Sequence, residues 1–231
     1  MVFGEMCGRF TLRHPNRIKF ERFNRANLLP LQPRYNIAPS QDVLAIVQHG
    51  DECEPEFLKW GIVPSWSKDA KGFINARSET LTAKASFSES FERRRCLIPA
   101  DGFYEWQRSG RIAQPYYFQL RDEAPFAFAG IWDKWQHGEE TIRSFAIITT
   151  SANELLAPIH DRMPVILRPE SHECWLHEEF NPLKLGNLLL AFPADEMTSH
   201  AVSYDVNQAK VDDEHLVLPV EPNVGVTLSL F

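Results

Sequence analysis

A series of short β-type segments, with no long helical pattern between most of them, is the feature that most constrains this fold. Residues 43–48 (Val-Leu-Ala-Ile-Val-Gln), 55–60, 103–107, 116–121, 126–132 and 142–149 form the series. Many are rich in Val, Ile, Phe, Tyr and Trp and are bounded by Gly, Pro, Asp or Asn. Parallel neighbours require crossovers of a dozen or more residues, usually helical. Their scarcity predicts an α+β fold: a single domain with a mainly antiparallel, barrel-like β-sheet and flanking helices. Helices are expected over 14–28, where Pro15 suits a first turn, and over 87–94. Ser151 and Glu154 have capping-box spacing for a helical turn near 152–157. Pro169 opens a helix to about 177, and Pro182 another to about 190. The expected division is an extra segment 1–6, a domain 7–210 and a C-terminal tail 211–231. That tail, with Pro219 and Pro222, is either strapped to the surface or mobile.

The 231 residues include 44% hydrophobic and 12% aromatic side chains, enough for a substantial core. No apolar run approaches the ~20 residues of a membrane span. The segment before Cys7 lacks a basic n-region and an apolar h-region, so it does not read as a secretion signal. Cys7, Cys53, Cys96 and Cys174 lie far apart, without the close pairs of zinc or redox sites. Reduced thiols in a cytoplasmic protein are the expectation, with no metal and no cofactor. His172, Glu173, Cys174 and His177 are metal-capable types on one predicted helix. His172 and His177 are about 140° apart round it and do not share a face. They read as surface and core residues of that helix, with Cys174 and Trp175 the candidates for burial.

The formal net charge of −7 argues against a nucleic-acid binder when taken alone. The distribution tempers this. Arginines concentrate early (Arg9, Arg13, Arg17, Arg22, Arg25, Arg34, Arg77, Arg93 to Arg95), and acids such as Asp212, Asp213 and Glu214 lie late. A basic groove on an acidic body and scattered solvated charge are both open.

Five segments mix polar groups with Gly or Pro, as function-bearing loops do: Cys7-Gly8-Arg9-Phe10, Tyr35 to Ser40, Asn75 to Thr80, Pro99 to Trp106, and His160 to Pro164. Cys7 is the most unusual. A cysteine with a free backbone amine carries two nucleophiles on adjacent carbons. The amine condenses with an aldehyde, and the thiol closes a thiazolidine ring. An α-amine with pKa about 7.7–8.0 is about a tenth unprotonated at pH 7, several hundred-fold more than a lysine. A small buried hydrophobe is the plain alternative for such a cysteine. Glu105, between Tyr104 and Trp106, is either a strand glutamate facing water or a carboxyl whose pKa is raised by apolar rings. Asn75 is a turn-former or a positioning amide. Histidine is the residue type suited to proton transfer near neutrality, so His160 is either structural or a proton donor.

These segments, together with Trp60 to Trp66, Arg95 to Pro99, Thr149 to Asn153 and Val202 to Asn207, resemble the SRAP family. Its members are the SOS response-associated peptidases, also described as abasic-site processing proteins. The resemblance runs from Met6 to about Asn207. It implies one α+β domain around a barrel-like sheet, and covalent cross-linking to abasic sites in single-stranded DNA during the DNA-damage response. Cys7 would be the covalent residue and Glu105 the acid–base carboxylate. Asn75 would fix the cysteine or sugar, and His160 would promote sugar ring opening. Arg9, Arg77 and Arg162 suit phosphate contact, and Trp66, with Pro39 nearby, suits stacking on or wedging against flanking bases. The implied partner is single-stranded DNA containing abasic sites, bound by a monomer that is cytoplasmic and nucleoid-associated when on DNA. A cysteine peptidase and a non-catalytic single-strand binder are the competing readings, and weak lyase behaviour accompanies the first. The chain departs from the family pattern in the six residues before Cys7. Translation from Met6, followed by methionine removal, is expected to expose the amine; self-cleavage before Cys7 is the alternative.

Overall fold

The computed structural model describes residues 8–18, 31–50, 52–109, 112–177 and 179–222. Among these the strands in chain order are β1 (Arg9–Leu12), β2 (Arg34–Ile37), β3 (Asp42–His49), β4 (Glu52–Trp60), β5 (Asn75–Arg77), β6 (Arg95–Ala100), β7 (Gly102–Ser109), β8 (Ile112–Leu120), β9 (Phe126–His137), β10 (Glu140–Ser151), β11 (Arg162–Pro164), β12 (Ile166–Leu167) and β13 (Met197–Ala201). Three short helices flank them: α1 (Ser88–Arg93), α2 (His172–His177) and α3 (Pro182–Gly186). No helix among the described residues is long and apolar enough to cross a membrane.

β3 pairs with β4 and β6, β6 with β9, β9 with β10, and β10 returns to β4. The ring is therefore a closed five-stranded barrel. Its pairings are antiparallel except where β10 runs parallel to β4, at Ser144–Lys59 and Phe145–Trp60. Closure leaves these five strands no open edge. A second, antiparallel sheet in the order β13-β8-β7-β1-β2 packs against the barrel.

Period-two alternation sorts the barrel side chains into two cores. Ile98, Phe128, Phe145 and Ile147 join Phe10, Phe103 and Phe118 of the second sheet. Phe10 contacts Trp60 and Phe128 edge-on, with ring centroids 5.1 and 5.6 Å apart. Full burial of such a ring contributes about 1.5–3 kcal/mol, and it anchors β1 in the barrel core. Leu97, Ala127, Ala129, Ala146 and Ile148 belong to the other core, with Phe91, Trp175 and Leu185 of the helices. The alanines let the helices approach closely. Buried Arg95 ties α1 to α2 by donating to Phe91 O at 3.0 Å, Glu92 O at 2.7 Å and Trp175 O at 2.6 Å.

The six expected strands all appear, most of them longer than expected. Several other expectations change. Within 14–28 the described residues form a single 3-10 turn at Pro15–Arg17, and 19–30 lie outside the described residues. The turn after β10 is capped not by Ser151 and Glu154 but by Asn153, whose Oδ1 accepts from Leu156 N at 3.0 Å. Ser151 instead pairs with Arg162 as the last residue of β10. The helix from Pro182 stops at Gly186. Cys53, Cys96 and Trp175 are buried, and Cys174 is half-buried. Cys53 Sγ lies 3.2 Å from His177 Nε2, and burial pushes the Cys96 thiol up. No group of three or more His, Cys, Asp or Glu among the described residues could hold a metal ion.

Residues 208–222 strap back across the second sheet. Asn36 Nδ2 donates to Val206 O, Gln208 O and Val211 O, and Asp212 Oδ1 accepts from Asn36 N at 2.9 Å. Leu216 is fully buried against Tyr104, Tyr117 and Val202, and Val220 N donates to Ala201 O.

Candidate functional site

The site forms where β10 gathers two short strands. Asn75 of β5 stands beside Ile147 and Arg77 beside Thr149, in parallel register. On the other side Pro164 of β11 stands opposite Thr149, and Arg162 opposite Ser151. Two glycines shape the approach to β5. Gly61 has φ +132°, and a Cβ on Gly72 would fall 2.3 Å from Gly61 O. That close approach permits the bridge between Ile62 and Phe73. Trp60 Nε1 then donates to Ile74 O at 2.9 Å, fixing the residue before Asn75.

The result is a cleft of about 760 Å³. Asn75, Arg77, Thr149, His160, Asp161 and Arg162 line it, together with Phe73, Lys84, Ser86 and Phe87. The sequence-predicted residues Asn75, Arg77, His160 and Arg162 therefore meet in one place, although 85 positions separate the first from the third.

His160 ends the loop that follows β10. Asn153 organises this loop: it caps Leu156, and its Nδ2 donates to Phe192 O at 2.7 Å. His160 Nδ1 lies 3.1 Å from Arg162 N and 3.0 Å from Asp161 Oδ1. The first contact requires an acceptor at Nδ1 and the second a donor. The backbone N–H is a fixed donor and the Asp161 side chain is 85% exposed, so the backbone contact decides. Nδ1 accepts, and the ring proton of the neutral imidazole sits on Nε2.

Arg162 is heavily engaged. Its two terminal nitrogens meet the two carboxylate oxygens of Glu79, and Nη2 also donates to Thr149 O at 2.7 Å. The hydrogen bond from Arg162 holds the Glu79 carboxyl below the usual carboxylate range. Arg77 is exposed.

Glu105 lies on β7 on the same face as Phe103, and it is 3% exposed. It does not line the cleft directly. Gln107, on the same face again, donates to Pro158 O at 3.4 Å, which seats the His160 loop against this strand. β1 runs beside β7 with Arg9 opposite Tyr104. That pairing needs a glycine at 102, because a Cβ there would fall 1.9 Å from Tyr117 Oη. Tyr117 Oη in turn lies 2.8 Å from Thr11 Oγ1, which is 2.6 Å from Asp101 Oδ1. Arg9 donates to Gly8 O at 2.7 Å, while its Nε is buried without a hydrogen-bond partner among the described residues. Burial lowers the Arg9 pKa. Cys7 lies outside the described residues; Gly8, its neighbour in sequence, is the first described residue.

Trp66 is 61% exposed and donates from Nε1 to Ala85 O at 3.3 Å, next in sequence to the cleft-lining Lys84 and Ser86. Pro39 is half-buried in the β2–β3 turn and is not among the cleft-lining residues. Many early arginines serve the fold: Arg13 pairs with Asp101, Arg34 with Asp212, and Arg95 with helix carbonyls. Sequence reasoning assigned no role to Phe73, Glu79, Lys84 or Thr149. Glu79 and Thr149 lie inside segments already singled out, whereas Phe73 and Lys84 reach the cleft only through tertiary packing.

Comparison with known proteins gives a consistent outcome. The SRAP model, described as SOS response associated peptidase, matches residues 6–209. The abasic site processing protein YoqW of Bacillus subtilis is 42% identical over 221 residues, spanning 92% of this chain and 99% of that protein. The abasic site processing protein YedK of Escherichia coli is 30% identical over 226 residues, spanning 93% and 100%. A crystal structure of a Bacteroides thetaiotaomicron protein superposes with a TM-score of 0.75 at 29% identity, covering 83% of this chain and 87% of that one. On the match over nearly its whole length, this chain belongs to the SRAP, or SOS response associated peptidase, family.

Proposed function

We propose that this chain processes abasic sites in DNA by covalent capture, with Cys7 as the nucleophile and single-stranded DNA as the substrate. One observation carries the reading. Asn75, Arg77, His160 and Arg162 share a cleft at the end of β10, and the loop bearing His160 is docked on the strand bearing Glu105. The names of the relatives, abasic site processing proteins, favour the same substrate class.

In this mechanism His160 Nε2–H donates a hydrogen bond to the ring oxygen of the abasic sugar; water takes the C1′ hydroxyl proton and returns one to the ring oxygen as the C1′–O bond breaks, leaving the C1′ aldehyde. The Cys7 amine lone pair attacks C1′ and forms a carbinolamine. Glu105, in its protonated form, delivers a proton to the departing hydroxyl, which leaves as water, and the resulting carboxylate takes the remaining nitrogen proton to leave the imine. The Cys7 sulfur then bonds to C1′, and the thiol proton passes to the imine nitrogen. The product is a thiazolidine. Gly8, the residue after Cys7 in sequence, leads into β1, whose Arg9 stands opposite Tyr104 beside Glu105 on β7. Asn75 orients the nucleophile or sugar. Arg77 and Arg9 receive phosphates, and Trp66 stacks against a flanking base.

The chemistry needs a free amine on Cys7, so residues 1–6 are absent from the competent protein, through initiation at Met6 followed by methionine removal, or through cleavage before Cys7. The deciding experiment incubates protein beginning at Cys7 with an oligonucleotide bearing one abasic site and resolves the mixture on a denaturing gel. A heat-stable shifted band that disappears in Cys7→Ala is expected. No band from the wild-type protein, or full retention of residues 1–6 in the intact mass of active protein, rules the mechanism out.

A further inference from the structure

Among the described residues two arginines, Arg77 and Arg162, line the cleft, and of these Arg162 is shown holding an anion. Arg162 presents both terminal nitrogens to the carboxylate of Glu79, one of them at 2.8 Å. A planar guanidinium uses this same two-pronged geometry for phosphate. The Arg162 side chain is only 12% exposed, while that of Glu79 is 49% exposed. The carboxylate therefore lies on the open side of the pair, where an incoming strand would meet it. Thr149 O, accepting from Nη2 at 2.7 Å, holds the guanidinium in place. With its carboxyl below the ordinary range, Glu79 is charged at neutral pH.

We propose that Glu79 is a tethered phosphate surrogate: it occupies Arg162 in the free protein, so a DNA phosphate must compete for that arginine. This makes it a specificity-determining residue, and the inference rests on the reading of the cleft as a single-stranded DNA site. The competing charge weakens reversible binding of every strand. An undamaged strand then dissociates, whereas a strand bearing an aldehyde is retained by the covalent bond. Discrimination thus comes from a repulsive element acting on the reversible step.

The test measures equilibrium binding of a labelled, undamaged single-stranded oligonucleotide across a salt series. Glu79→Gln is expected to bind about two- to fivefold more tightly at low salt, with a salt slope steeper by about 0.7, the equivalent of one more phosphate contact. In an Arg162→Ala background the same substitution is expected to change little. Unchanged or weaker binding by Glu79→Gln overturns the proposal. So does an equal gain in the Arg162→Ala background, which would mark a general charge effect. Glu79→Asp keeps the charge but draws the carboxylate back, and its affinity is expected between the other two. Should Glu79→Gln fail to fold, Glu79→Asp decides, and binding no tighter than wild type overturns the proposal. The abasic oligonucleotide gel separates the two readings: a missing adduct from wild type removes covalent capture, while the undamaged-strand series judges Glu79 by itself.

Discussion

Arg77 and Arg162 are the same residue type in the same cleft, yet their surroundings assign them different work. Arg77 is exposed at the end of β5. Arg162 is fastened to Glu79 and Thr149. Arg77→Ala is therefore expected to lower the salt slope of single-strand binding by about 0.7, with the melting temperature nearly unchanged. A similar loss of thermal stability and binding would reassign Arg77 to the fold. Glu105 sits differently again, buried on a strand. Glu105→Gln keeps its shape, and the expected result is adduct formation slowed by about 10²–10⁴-fold with undamaged-strand affinity preserved. Parallel losses in rate and affinity would remove its acid–base role. Asn75, Arg77, His160 and Arg162 were legible from sequence because each sits in a short polar segment whose chemistry is visible locally. Glu79 was not, since its partner lies 83 residues away and its meaning comes only from the pairing.

At the scale of elements, β-branched and aromatic composition bounded by turn residues revealed β3, β4 and β7 to β10. The strands β1, β5 and β11 are four residues or fewer, too short for a period to declare itself, and yet they border the site. Barrel closure by a parallel β10–β4 contact was also hidden, because no local pattern encodes which strand ends meet. The loop after β10 shows a related limit. Ser151 and Glu154 have the right spacing for a cap, but pairing with β11 claims Ser151 and Asn153 takes the role. Asn153→Ala removes the acceptor for Leu156 N and the donor to Phe192 O. The expected cost is about 0.5–2 kcal/mol of stability, together with slower capture as His160 loses its position. Calorimetry and single-turnover gels measure the two effects. Normal capture in a destabilised variant would separate the cap from the site.

The whole molecule is held together in part by its last described residues, which return to β2 and cover Tyr104 and Tyr117. His215 lies 2.9 Å from Asp213 Oδ1 through Nδ1 and 3.3 Å from Asp205 Oδ2 through Nε2, joining this strap to the turn at Tyr204–Asn207. The hydrogen bond to Asp213 raises the imidazole pKa, with Asp205 adding to it. A raised histidine stabilises the fold while charged. Its contribution is complete below about pH 6.5, the unfolded value, and is lost as pH rises through the folded value. Asp213 is lowered by hydrogen bonds from the backbone and side chain of His215. Its share is present above about pH 4 and is lost as pH falls through its folded value. The melting temperature of His215→Gln is expected to fall below that of wild type near pH 5.5 and to converge with it at alkaline pH. A gap independent of pH would exclude the ionic clamp.

β10 carries the farthest-reaching consequence. It closes the barrel along β9 and β4, and its final turn of residues fixes the registers of both β5 and β11. The spacing among Asn75, Arg77 and Arg162 is thus inherited from a single backbone. Sliding that backbone by one position would invert the core alternation on which the barrel depends. The groups facing a ligand cannot drift apart one by one: reshaping this cleft means changing side chains on a fixed lattice, never the lattice itself.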